Sequence, residues 1–116
     1  MKVLTIIVSI LIIIAVLIPG SNIPEVDMVG VDKFVHIAMF SAWAIAVRYD
    51  FPRIKPWIVF IFGVGFSLFT EILQLFIEGR SFDLYDMIAD GAGLLLGLLL
   101  TPVATKILNQ IFTSRS

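Results

Sequence analysis

Apolar residues fall in four long runs separated by short polar or proline-containing stretches. The first run covers residues 3–19 and closes at Pro19-Gly20, a helix-stop signal. The second, residues 33–48, is short and carries His36. The third, residues 57–77, is long enough as a helix to cross about 30 Å of hydrocarbon, and Pro56 before it suits a first helical turn. The fourth, residues 84–103, has Pro102 near its end, and residues 104–112 form a weaker amphipathic continuation. No alternation of period two is present, and in lipid only helices or closed barrels satisfy the backbone. The pattern therefore predicts an all-α fold: one domain over residues 1–116, built as an integral membrane bundle of four transmembrane helices.

Composition sharpens this reading. The chain is 59% hydrophobic and 15% charged, against about 25% charged for ordinary soluble domains, and its mean hydropathy is +1.06. A net charge of -1 with no basic stripe excludes nucleic acid as a partner. The absence of cysteine excludes disulfides, thiolate zinc sites, thiol catalysis and a lipoprotein anchor. The first run has the look of a signal peptide, but it is long for one. Pro19-Gly20-Ser21 also offers no small-x-small cleavage motif, so a retained helix is expected.

Charges between the runs predict orientation. Arg48, Arg53 and Lys55 flank the second connection, Lys2 lies at the N-terminus, and Lys106 and Arg115 lie near the C-terminus. Glu25, Asp27 and Asp32 precede the second helix, while Glu78, Asp83 and Asp86 surround Arg80 between the third and fourth. The positive-inside bias then places both termini and the middle connection in the cytoplasm and the acidic loops outside, N-in and C-in.

That orientation brings Asp32 and His36, Glu71 and Gln74, and Asp83, Asp86 and Asp90 into one outer layer. A charge at mid-membrane costs about 2.5–3.5 kcal/mol on insertion scales, so a cluster of them needs either mutual satisfaction or a function. Asp32 and His36 are four apart and share a helix face, as do Glu71, Gln74 and Glu78, whose stripe continues through Thr70, Ser67 and Gly63. Asp86, Asp90, Gly93 and Gly97 share a third face, on which the glycines permit close helix packing. The two aspartates can share one proton, hold a cation with Glu71, or pair with Arg80 and Lys33. A divalent ion held by His36, Glu71 and Asp86 is chemically reasonable, although no tight ligand motif marks it. Phe40 reads as core, and Arg80 as either an interfacial anchor or a clamp for an anion.

These residues form an ordered pattern. Asp32-Lys33-x-x-His36-x-x-x-Phe40 is followed by Glu71-x-x-Gln74, then by Glu78-Gly79-Arg80-Ser81. Asp83-x-x-Asp86-x-x-x-Asp90 leads into Gly91-Ala92-Gly93 and Gly97. Over residues 32–100 the chain resembles the VanZ-like family of small bacterial membrane proteins; the first helix matches in character only. The resemblance implies a compact four-helix membrane domain and an envelope context, its name-giving relative being associated with teicoplanin resistance. It supplies no reaction. Asp90 departs from the pattern, standing where an asparagine is common, and so adds an acid to the cluster.

The functional expectation is a membrane protein that binds or acts on a polar lipid headgroup or a lipid-linked cell-wall precursor. His36, Glu71 and Asp86 are the candidate catalytic residues; Asp32, Gln74, Arg80, Asp83 and Asp90 are the candidate substrate contacts. The alternatives are a non-catalytic scaffold that docks a partner protein, and a proton or ion translocator. Four short helices make a thin bundle, which leaves room for a homo-oligomer.

Overall fold

A computed structural model describes residues 3–17, 28–76 and 84–113. Four helices account for nearly all of them: α1 (Val3–Val16), α2 (Met28–Asp50), α3 (Pro56–Gln74) and α4 (Leu84–Thr113). No strand occurs among the described residues, as the missing period-two alternation predicts.

The helix boundaries differ from the hydropathy pattern where polar residues interrupt it. α2 starts at Met28 rather than near residue 33, because Asp32 and Lys33 lower the local hydropathy without breaking the helix. Its 23 residues span roughly 34 Å at 1.5 Å per residue. α3 begins as expected, with Lys55 in extended backbone (φ -67°, ψ 144°) and Pro56 in the first turn. There its missing N–H removes no hydrogen bond. It ends at Gln74, a little before the expected residue 77, which lies outside the described residues. α4 runs straight through Pro102 to Thr113, so the amphipathic tail belongs to the same helix. Pro102 cannot donate to the carbonyl one turn back. The hydroxyls around it stay satisfied locally: Thr101 Oγ1 donates to the Gly97 carbonyl and Thr105 Oγ1 to that of Thr101, both at 2.8 Å.

α2 and α4 run parallel and form the central pair. Gly93 lies against the backbone of Ile37, and Gly97 against that of Ser41; a Cβ at either glycine would collide with those carbonyls. The small-residue face read from the sequence is thus the seam of the bundle. α1 packs antiparallel on α2: the Thr5 N–H donates to Asp50 Oδ2 at 2.6 Å and the Trp43 indole to Ser9 Oγ at 3.0 Å. An acidic side chain from the end of α2 therefore accepts at the positive end of α1, where such a charge is favoured. Ile12 and Val16 of α1 are buried in the apolar core with Phe40, Trp43, Val59 and Leu94, so the first apolar run is an integral part of this core. Phe66 joins it, its ring centroid 5.8 Å from that of Phe40 and 5.6 Å from that of Trp43.

α3 packs antiparallel to α4, with Gly63 against the Leu94 side chain. Its buried residues, Val59, Gly63, Ser67, Thr70, Glu71 and Gln74, recur at three- and four-residue intervals and form one stripe. That stripe turns polar toward the C-terminal end, while the opposite face is apolar and exposed, as at Phe62 and Phe69. α4 likewise leaves Leu95, Leu99 and Val103 exposed. Among the described residues, two helices are long and apolar enough to cross a membrane, Pro56–Gln74 and the stretch Leu84–Ile111 of α4. α1, with 14 residues, reaches roughly 21 Å.

Candidate polar site between α2, α3 and α4

The site forms where the central helix pair meets the C-terminal half of α3. Parallel packing of α2 on α4 through Gly93 sets His36 of α2 beside Asp90 of α4. Antiparallel packing of α3 then brings Ser67, Glu71 and Gln74 to the same level. All five polar side chains are buried, with Glu71 and Asp90 fully so.

Asp90 holds the centre. One carboxylate oxygen lies 2.7 Å from His36 Nδ1 and the other accepts from Ser67 Oγ at 2.6 Å. The bond to His36 fixes the plane of the ring and turns its Nε2 toward Asp86. Nε2 is 3.7 Å from Asp86 Oδ2, beyond hydrogen-bonding distance. Asp86 is engaged by the Lys33 ammonium, which donates to its other oxygen. Lys33 is partly exposed, so a line of contacts leads from buried Ser67 through Asp90, His36 and Asp86 to the end of the bundle. Thr70 extends the stripe on α3, its hydroxyl donating to the Ser67 carbonyl at 2.8 Å.

This geometry decides several roles. Asp90 fixes the ring orientation of His36, as a buried carboxylate does for a catalytic histidine. Ser67 is not arranged as a nucleophile, because its hydroxyl points at Asp90 rather than at the imidazole. One ligand atom each from His36, Glu71 and Asp90 can be chosen so that all lie within 4.8 Å of one another. The compact grouping therefore contains Asp90 where the sequence suggested Asp86, which pairs with Lys33 instead.

Of the expected site residues, the structure brings together His36, Glu71, Gln74, Asp86 and Asp90 at one end of the bundle. Asp32 lies on α2 one turn before His36, but its side chain is outside the described residues, as are Arg80 and Asp83 altogether. Ser67 and Lys33 were not among the expected site residues, and both contact the acids directly. Ser67 was visible as part of the α3 stripe, and Lys33 as a counter-charge. Beneath the cluster, Phe40 and Leu94 are fully buried and close the interior with apolar atoms.

No curated protein and no solved structure matches the chain. The family model VanZ/LLP1 matches residues 3–105. The match takes in α1 as well as the three helices that build the polar cluster, and the chain belongs to the VanZ/LLP1 family.

Proposed function

We propose that the chain is a four-span protein of the bacterial cytoplasmic membrane, with both termini cytoplasmic. In this reading it binds or acts on a polar lipid headgroup or a lipid-linked cell-wall precursor in the outer leaflet. One observation carries the reading: His36, Glu71, Gln74, Asp86 and Asp90 are buried together at one end of a bundle whose outer faces expose residues such as Phe62 and Leu99. A water-soluble protein has the reverse distribution, and ionisable groups inside an apolar shell mark function by default. The long dimension of 46 Å suits a bilayer with its headgroup zones, about 40–45 Å thick. The teicoplanin association implied by the family resemblance supplies the envelope context.

His36 and Glu71 act as the acid/base pair, with Asp90 positioning His36 and Asp86 facing its Nε2. Arg80, with Asp32, Gln74 and Asp83, contacts the anionic and polar parts of the ligand. The test is glycopeptide susceptibility of cells expressing the wild type, His36→Ala or Glu71→Gln, with the amount of membrane-inserted protein measured alongside. Protection lost at unchanged abundance supports the reading; protection retained in both variants overturns it.

A second reading is favoured by the mutual hydrogen bonding of Ser67, Asp90 and His36 and by the Lys33–Asp86 pair. Here the cluster fixes helix register in a non-catalytic scaffold that docks a partner protein. This reading expects the same substitutions to reduce abundance or assembly. Proton or ion translocation draws no support from the apolar closure at Phe40 and Leu94.

A further inference from the structure

We infer that His36, Glu71 and Asp90 form a binding site for a divalent first-row transition-metal cation, Zn2+ or Mn2+. The inference shares its residues with the reading above but rests on geometry and charge, not on any envelope role.

Three helices each contribute one donor, and the donor atoms lie within 4.8 Å of one another. Ligands about 2.0–2.2 Å from a metal are separated by roughly 3.0–3.5 Å. Closing the set therefore needs a contraction of at most about 1.8 Å. One imidazole with two carboxylates is a mixed nitrogen and oxygen set. Imidazole suits zinc and carboxylate suits manganese, whereas no thiolate is present to select copper(I) or an iron–sulfur cluster.

The charges match the donor set. Glu71 and Asp90 are buried acids, and Lys33 is engaged by Asp86. A dication carries the charge of two carboxylate ligands, with His36 a neutral ligand, which is the form a metal requires. Ser67, bonded to Asp90, would then hold a ligating carboxylate in place. The Lys33–Asp86 pair, of which Lys33 is partly exposed, lies between the site and the end of the bundle, on the route by which an ion would arrive.

The experiment uses the full chain in detergent, purified without a histidine tag and stripped with chelator. ZnCl2 and MnCl2 are titrated separately by calorimetry, with thermal unfolding followed in parallel. The expected result is one equivalent of one of these metals per chain and a rise in unfolding temperature. Affinity should fall roughly tenfold or more in His36→Ala and Glu71→Gln, and by less in Asp86→Asn. Asp90→Asn, nearly isosteric, also weakens binding and serves where His36→Ala does not fold. The inference is overturned if the folded wild type takes up neither metal, or if Glu71→Gln and Asp90→Asn bind as tightly as the wild type. Either result leaves the glycopeptide assay to decide the headgroup reading by itself.

Discussion

Asp90 is the residue on which the cluster turns. It is bonded to both His36 and Ser67, so replacing it with alanine strands two buried polar groups. The expected loss is about 1–3 kcal/mol for each group left without a partner. Asp90→Asn keeps an oxygen for His36 and turns an amide toward Ser67, whose hydroxyl can rotate to accept. Its effect on stability should be under about 1 kcal/mol. Denaturant unfolding in micelles measures both, and equal losses in the two variants would contradict this role. The sequence made each polar stripe legible, because i and i+4 positions share a face. It did not show that Ser67 faces Asp90: spacing within one helix says nothing about register between helices. It likewise left Asp86 and Asp90 interchangeable as partners of His36. One turn of α4 separates them, and only the packing of Gly93 on Ile37 decides which aspartate meets Nδ1.

At the scale of the helices, the seam between α2 and α4 sets the geometry of everything above it. Gly97→Val must push α4 away from Ser41 and Ala44, with an expected destabilisation of about 1–3 kcal/mol. A Cβ at Gly91 or Gly65 meets nothing within 4 Å. Gly91→Ala is therefore expected to be neutral or to stabilise by up to about 1 kcal/mol. Thermal unfolding of the two variants side by side checks the contrast, and a loss at Gly91 as large as that at Gly97 would refute it. The four helices and the glycine face were legible from hydropathy and small-residue spacing. Their boundaries were less so where chemistry and hydropathy pull apart. Asp32 and Lys33 hid the first turns of α2, and Pro102 suggested an end to α4 that the helix passes through. The bond from Thr5 to Asp50 was not legible at all, since it joins residues 45 positions apart.

Among the described residues, histidine, glutamate and aspartates lie inside at one end of an apolar core, and a shell of isoleucine, leucine and phenylalanine faces outward, as a soluble bundle does not. Composition alone pointed to this, and the charge bias of the connections predicts a direction for it, with the polar end outward and the basic end inward. That placement carries the central claim, because a site for an outer-leaflet headgroup must open on the outer face. The chain has no cysteine, so single cysteines at Leu84 and Gln110 report without background. They sit at opposite ends of α4, roughly 39 Å apart along the helix axis. The most direct measurement is labelling with a membrane-impermeant maleimide in intact and in lysed cells. The account predicts that Leu84→Cys reacts in intact cells and that Gln110→Cys reacts only after lysis; reaction of both from the same side would contradict it.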